Sequence, residues 1–438
     1  MILHEIETAP QSIMEKIQLD RLKQTVKHVH QNVPFYQRIF KKHLITPNDI
    51  STLQDLQNLP FTTKQDLRDN YPYGLFAVNR KRIVRLHASS GTSGKPTVVA
   101  YTKADIDMWS DLVARAISIG GGKPGEILHN AYGYGLFTGG LGLHYGSERL
   151  GMITVPVSGG NTFRQVQLID DFKPTVICGT PSYVLTIIEK MEELGIIPST
   201  TSLKYGIFGA EPWSEKMRRI LENKLNIKAC DIYGLSEVLG PGVAQECHEA
   251  QDGLHIAEDH FLVEVIDPKT KRNLPEGEDG ELVFTSLTKE ALPIIRYRTG
   301  DIASIWKEKC VCGRTTMKMS RIKGRVDDMI IIRGVNVFPS EIEHQILTIE
   351  ELAPHYQLLL SKEKNLDSLE IMVEMKEKEV NGAGELLIEK MRVALANQLE
   401  QVIKDNCFIA VRAKVVLPGS IPRSEGKAVR IIDKRVPV

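Results

Sequence analysis

The stretch 175–208 reads TVICGTPSYVLTIIEKMEELGIIPSTTSLKYGIF, and its pattern decides the fold class. TVICGT is a short run of apolar and β-branched residues, which reads as a buried strand. PSYVLTIIEKMEELG places Pro181 just inside the start of a helix and Gly195 just past its end. KYGIF (204–208) and KACDIY (228–233) are further short strands, with SEKMRRILENKL as a helix between them. Such alternation predicts α/β layers with mainly parallel pairing.

The same grammar extends outward. RIVRLHAS (82–89) and TVVAYT (97–102) read as strands. Thr102 then fits a helix N-cap with Asp105 three residues on, and Ile106, Trp109, Leu112, Val113, Ala116 and Ile117 keep the helical period up to Gly120. The first 80 residues look helical and polar. From 260 to 306 strands follow one another without helices (HFLVEVID, GELVFTSL, DIASIW), which predicts an antiparallel subdomain. Beyond 327 comes a small α+β set: a helix at SEIEHQIL, alternating strands HYQLLLS and LEIMVEMK, a long helix ELLIEKMRVALANQLEQVIK and a strand near FIAVRAKVV. A boundary at 325–328 divides the chain into 1–326 and 327–438.

The chain has 438 residues, 42% of them hydrophobic and 25% charged, enough for a sizeable buried core. Its 55 basic residues balance 55 acidic ones, which argues against a general nucleic-acid binder. The longest uncharged stretch, 127–147, holds six glycines, two histidines and an asparagine, a poor candidate for a membrane span. The opening MILHEIETAPQSIMEK has no apolar signal region, and six cysteines are too few for a disulfide scaffold, so a cytoplasmic location is expected.

The strongest local signal is Ser89, Ser90, Gly91, Thr92, Ser93, Gly94 and Lys95 between two strands. Glycines let backbone N–H groups converge, hydroxyls add donors and the lysine adds charge, so the loop reads as a phosphate cradle. It is not a Walker A loop, because two residues separate its glycines and Pro96 follows the lysine. GGGKPG (120–125) matches a dinucleotide fingerprint in form only; it follows a helix where that motif needs a strand.

SSGTSGKP (89–96), GAEP (209–212), YGLSE (233–237), YRTGD (297–301), KGRVDDMI (323–330) and PRSEGK (422–427) occur in that order. With HNAYGYGLFTGGLGLHYG (129–146) and IRGVNVFPSEIE (332–343), this set resembles the adenylate-forming superfamily of acyl-CoA synthetases, most closely its compact phenylacetate–CoA ligase group. The resemblance implies an α/β fold with a large multi-subdomain N-terminal adenylate-forming domain and a small α+β C-terminal lid joined by a hinge. It implies ATP, Mg²⁺ and coenzyme A as co-reactants, an aryl-acetic acid as substrate, and a homodimer.

Site roles follow from the resemblance residue by residue. Glu237 is implied as the Mg²⁺ ligand, in keeping with that ion's preference for one or two carboxylates plus phosphate oxygens. Tyr233 would offer a ring face to adenine, bordered by Gly209, Ala210, Glu211 and Pro212. Asp231, Ile232, Gly234 and Ser236 complete that strand end. Asp301 would accept the ribose hydroxyls, and Arg325 would reach ribose or phosphate. Asp327 matches the hinge, and Lys427 the lysine that bridges the attacking carboxylate and the α-phosphate. Arg333, Gly334 and Pro339 would line the pantetheine tunnel.

Tyr132, Tyr134 and Phe137 lie in the aromatic and glycine-rich run, and the resemblance makes them acyl-pocket candidates with Gly209 and Pro241. That run carries no charge, which suits a flat apolar tail. Cys310 and Cys312 form a thiolate pair on a turn, and with Cys247 and His255 they would supply a Cys₃His structural zinc set, His248 being the alternative ligand. Two other readings compete: a ligase for another aryl acid or for a carrier-protein thiol, and a catalytically silent nucleotide-binding sensor.

Overall fold

The computed structural model describes residues 1–89, 96–326, 330–332, 335–363, 366–424, 426 and 428–435. By contacts the chain forms two compact units. The first comprises Met1–Gly179, Thr200–Ala210 and Asn226–Ile322. It opens with helices α1 (Gln11–Asn32), α2 (Pro34–Lys42) and α3 (Lys64–Asp69), then the hairpin β1 (Ile83–Ser89) and β2 (Thr97–Thr102). Helix α4 (Lys103–Ile119) starts as the sequence predicts: the Thr102 hydroxyl accepts the Asp105 N–H at 3.1 Å, and the Asp105 carboxylate accepts the Thr102 N–H at 2.9 Å. Its buried face carries Trp109, Leu112, Val113 and Ile117. GGGKPG is a helix-terminating loop, with Gly120 as the cap.

A nine-stranded sheet forms the centre of this unit. β3 (Ile127–Asn130), α5 (Thr138–Leu150), β4 (Ile153–Val155), α6 (Thr162–Phe172), β5 (Val176–Gly179), β6 (Tyr205–Gly209) and β7 (Lys228–Leu235) follow in chain order. The strands pair in parallel in the order β4-β3-β5-β6-β7. The same sheet then turns antiparallel through β8 (Gly240–Glu246) and β9 (Leu254–Ile256). Antiparallel pairing therefore begins before residue 260, inside the sheet predicted as mainly parallel. β8 and β9 bury the polar Gln245, Glu246 and His255, so hydrophobic period gives no hint of them. β10 (Phe261–Ile266), β11 (Gly280–Ser286) and β12 (Tyr297–Ala303) make the predicted separate antiparallel group. β13 (Ile305–Trp306) and β14 (Lys318–Met319) close the edge of the large sheet beside β9.

The second unit comprises Thr180–Ser199, Glu211–Leu225 and Lys323–Val438. It thus takes α7 (Pro181–Glu193) and α8 (Glu215–Leu225), which precede residue 327 in the chain, together with the C-terminal segment. The strand β15 (Gly324–Arg325) and the hairpin β16 (Ile330–Ile332) and β17 (Val335–Val337) lead to α9 (Pro339–Ile346). β18 (Leu352–Glu363) and β19 (Leu366–Met375) pair antiparallel, and α10 (Glu377–Val380) and α11 (Glu385–Cys407) follow. β20 (Arg412–Val416) and β21 (Ile431–Asp433) complete the sheet in the order β20-β19-β18-β21. Ile342, Leu358, Ile371, Val373, Leu399 and Ile403 form its core. Among the described residues no helix is long and apolar enough to cross a membrane.

Candidate active site

The C-terminal end of β7 and the bulge in β12 bring together two residues predicted from separate motifs. The Tyr233 hydroxyl donates to Asp301 Oδ2 at 2.7 Å, and the Tyr233 ring stacks on Phe284 with centroids 5.9 Å apart. The register between β11 and β12 shifts opposite Thr299, Gly300 and Asp301. Gly300 takes φ +78° there, the left-handed region that favours glycine. Its N–H donates to Glu281 Oε1 at 3.1 Å, while the Asp301 N–H donates to the Thr299 hydroxyl at 3.0 Å. Such a bulge re-aims a side chain that a regular ladder would point elsewhere. Asp301 and Tyr233 are both buried.

Two motif glycines have a packing reason as well. A Cβ on Gly209 would stand 2.2 Å from the Ile232 carbonyl oxygen, and one on Gly234 would stand 1.9 Å from that of Gly240. Only glycine allows β6, β7 and β8 to approach so closely. Ala210 follows with φ +68°, at an exposed turn. Asp231 is buried, its N–H donating to Glu246 Oε2 at 3.0 Å.

Glu237 stands on the turn between β7 and β8. That turn is tied down by the Tyr101 hydroxyl, which donates to the Leu239 carbonyl at 2.5 Å, and by the Thr138 and Ser236 hydroxyls, 3.1 Å apart. The Glu237 side chain is 7% exposed, and no described residue hydrogen-bonds its carboxylate. A buried carboxylate left with open lone pairs suits a hard cation such as Mg²⁺. Beside this turn lies a residue that no motif singled out. Lys289 is buried with its Nζ 4.0 Å from the Tyr101 ring centroid and no hydrogen-bond acceptor among the described residues. Burial lowers its pKa to about 8, against the opposing pull of the Asp105 and Glu237 carboxylates.

The acyl-pocket candidates divide. Tyr132 is buried, with its ring against Gly139, whereas Phe137 is 51% exposed just before α5. The Tyr134 hydroxyl accepts from Asn130 Nδ2 at 2.8 Å and lies 3.2 Å from His144 Nδ1. Burial raises the Tyr134 pKa to about 12. Pro241 accepts the Trp109 indole N–H at 2.9 Å on its carbonyl and packs over Gly142.

In the second unit Glu211 does something the motif reading left out. Its carboxylate accepts the Ser182 N–H at 2.8 Å and the Ala428 N–H at 3.1 Å. Burial raises its pKa, offset in part by Arg430 and these donors. Pro212 is exposed, and Arg325 is half-buried in β15. Pro339 opens α9. Ser89 ends β1, paired with Thr97. Ser90, Gly91, Thr92, Ser93, Gly94 and Lys95 lie outside the described residues, as do Asp327, Arg333, Gly334 and Lys427.

The cysteine set converges. Cys247, His255, Cys310 and Cys312 each point a ligand atom to one place, all four atoms within 4.8 Å of one another. Cys247 and Cys310 sulfurs are 3.6 Å apart, and Cys312 Sγ is 3.4 Å from His255 Nε2. A tetrahedral zinc with Zn–S of about 2.3 Å spaces two sulfurs by roughly 3.8 Å, so the cluster has the right size, and a disulfide at about 2.05 Å is ruled out for that pair. The other histidine nitrogen, Nδ1, lies 3.2 Å from the Thr316 hydroxyl, which fixes the ring. The hydrogen bond from Cys247 holds the Cys312 thiol well below its ordinary range, with His255 adding to the effect. His248 turns instead to Glu249 and the Tyr205 ring.

The chain is similar to known proteins. The family model described as "AMP-binding enzyme" matches residues 20–288, and that of the "AMP-binding enzyme C-terminal domain" matches 334–435. The phenylacetate–coenzyme A ligase of Escherichia coli (strain K12) is 52% identical, over 99% of this chain and 98% of that one. The phenylacetate–coenzyme A ligase of Thermus thermophilus is 50% identical, over 98% of this chain and 99% of its own. Among solved structures, 2-hydroxyisobutyryl-CoA ligase in its postadenylation state matches with a TM-score of 0.91 at 29% identity, over 98% of this chain and 92% of that one. The same ligase in its thioesterification state gives a TM-score of 0.72. With full-length relatives at half identity and both family models matched in order, the chain belongs to the AMP-binding enzyme family, in its phenylacetate–coenzyme A ligase group.

Proposed function

We propose that this protein is a phenylacetate–CoA ligase that consumes ATP and releases AMP and pyrophosphate. The observation that carries this reading is identity of about half to phenylacetate–coenzyme A ligases along the whole chain, joined to a buried Tyr233–Asp301 pair at the end of β7. In the first half-reaction a carboxylate oxygen of the acid attacks the α-phosphorus of ATP. The bond to pyrophosphate breaks and an acyl-adenylate forms. In the second, the CoA sulfur attacks the acyl carbonyl, the thiol proton goes to solvent or base, and AMP leaves.

The residues take these roles. Asp301 accepts the ribose hydroxyls, oriented by Tyr233, and the Tyr233 ring supports adenine together with the backbone from Gly209 to Pro212. Asp231, Ile232, Gly234 and Ser236 shape the same strand end. The loop from Ser89 to Lys95 cradles phosphate. Arg325 reaches ribose or phosphate from the hinge. Glu237 would hold Mg²⁺, which would neutralise phosphate charge as pyrophosphate departs. Lys427 bridges the two reacting anions, whose mutual repulsion is the main electrostatic barrier.

Tyr132, Tyr134 and Phe137, with Gly209 and Pro241, enclose the aryl group. The lid 327–438 turns about Asp327 between the halves, bringing Arg333, Gly334 and Pro339 to the pantetheine arm. Cys247, His255, Cys310 and Cys312 would hold a structural zinc that takes no part in this chemistry. None of the six cysteines forms a disulfide, which suits a reducing cytoplasm. The homodimer is checked by sedimentation of the purified protein.

The test is a panel of aryl acids assayed for AMP release with CoA present. Phenylacetate should give the highest kcat/KM. No AMP release with any aryl acid would favour the silent sensor, and acyl-adenylate that accumulates without answering to free CoA would favour a carrier-protein acceptor.

A further inference from the structure

Around position 427, the described residues 421–424, 426 and 428–430 are tied to several parts of the second unit. On the N-terminal side, the Thr180 hydroxyl donates to the Gly426 carbonyl at 2.9 Å. On the C-terminal side, the Ala428 N–H donates to Glu211. Further back, Arg423 places both terminal nitrogens on the buried Glu374 at 2.8 Å each, and the Ile421 N–H reaches the same carboxylate at 2.7 Å. The remaining Arg423 nitrogen, Nε, donates to Glu189 Oε2 at 3.2 Å. The other Glu189 oxygen meets His355 Nε2 at 2.5 Å.

These contacts fall into two classes by chain position. Arg423, Ile421 and Glu374 all follow residue 327, so their bonds travel with the lid wherever it turns. Thr180, Glu189 and Glu211 precede residue 327, while the groups they bind follow it. Bonds of this second class exist only while the segment lies against α7 and Glu211. The Glu189 and Arg423 side chains are 31% and 28% exposed, and pairs so accessible to water are weak enough to break and re-form. His355 and Arg423 outweigh burial and keep the Glu189 carboxyl below its ordinary range, so the pair is charged at neutral pH.

We infer that Glu189 is a positioning residue for the adenylation half-reaction: it clips Arg423 and His355 to α7, fixing the segment around Arg423 and Gly426 for that half, and it lets go when the lid turns for thioester formation. Glu189 touches no substrate, and it acts through Arg423. This inference rests on the assignment of Lys427 and of the hinge made above.

The experiment separates the halves. Phenylacetate-dependent ATP–pyrophosphate exchange reads the first, and CoA thioester formation from supplied phenylacetyl-adenylate reads the second. Glu189→Ala should lower exchange about tenfold and leave the second half within twofold of wild type. Glu189→Gln, which keeps the shape without the charge, should fall between. A merely structural role would lower both halves together along with the melting temperature, and that result, or unchanged exchange, overturns the inference. Lys427→Ala serves as the reference. If it retains exchange, the lysine assignment itself fails and this inference with it; if it loses exchange while Glu189→Ala does not, only the role of Glu189 fails.

Discussion

Asp301 and Arg423 both end in charge-assisted hydrogen bonds, but one is sealed and the other half wet. Asp301 is 7% exposed, at a bulge fixed by Thr299, Gly300 and Glu281, and it takes its bond from an equally buried tyrosine. Arg423 is anchored on one side by buried Glu374 and on the other by Glu189, which water reaches. A nucleotide pocket gains from groups that stay in place, since pre-set donors and acceptors cost no reorganisation during reaction. A lid that must serve two half-reactions gains from contacts that can be exchanged. On the roles proposed above, the difference in burial matches opposite requirements, permanence in one region and release in the other.

The largest effect should come from the releasing side. Lys427→Ala should reduce acyl-adenylate formation by roughly a hundredfold or more and spare thioester formation from supplied adenylate. Rates of the two half-reactions, measured separately, check this; equal loss in both would erase the distinction between the regions.

Next comes the cysteine cluster, whose residues are mostly buried. Purified protein should carry one zinc per chain. Cys310→Ser should abolish that zinc and lower the melting temperature by roughly 5 °C or more, with little change in KM for ATP. Metal analysis and thermal melts decide it, and a variant as stable as wild type would remove the metal from the account.

His129 tests how dry the large sheet is. It is fully buried on β3, its Nε2 2.6 Å from Gln165 Oε1, and burial lowers its pKa to about 4 against the Gln165 bond. The folded state therefore refuses a proton that the unfolded chain accepts near pH 6.5. Stability from this group is complete above pH 6.5 and is lost as pH falls toward 4, about 2 kcal/mol of it by pH 5. Urea melts at pH 7 and pH 5 should show that loss, and His129→Asn should flatten it.

The smallest effect is at Tyr233. Tyr233→Phe keeps the ring and removes one hydrogen bond to Asp301. KM for ATP should rise about fivefold, near 1 kcal/mol, while the rate of acyl transfer to CoA stays unchanged. Steady-state kinetics in each half measures it, and an equal fall in both would make the bond structural only.

Much of this was legible in the chain, for reasons that differ by region. The β5–α7–β6 alternation shows in apolar period and in Pro181 and Gly195, because local backbone chemistry dictates it. Motif loops named Glu237, Asp301 and Tyr233, and ligand chemistry, a thiolate pair with a cysteine and a histidine upstream, drew attention to Cys247, His255, Cys310 and Cys312, whose ligand atoms do converge. Lys289 and Glu189 were not legible. Lys289 sits in an ordinary polar run, and its burial depends on Tyr101, nearly two hundred residues away. Glu189 looks like any outward glutamate of α7, and its partners His355 and Arg423 lie 166 and 234 residues further along. Glu211 was read for its small neighbours, while its own carboxylate serves the backbone of Ser182 and Ala428. Period and motif describe what is near in sequence, and these contacts are made by chain closure over long distances.

The central claim is that one nucleotide pocket, gathered at the ends of β6, β7 and β12, joins an aryl acid to AMP. A crystal structure of the protein with ATP, Mg²⁺ and phenylacetate tests it most directly. The account predicts adenine against Tyr233, the ribose hydroxyls on Asp301 and phosphate at the loop that follows β1. Nucleotide bound away from Asp301 and Tyr233 would contradict it.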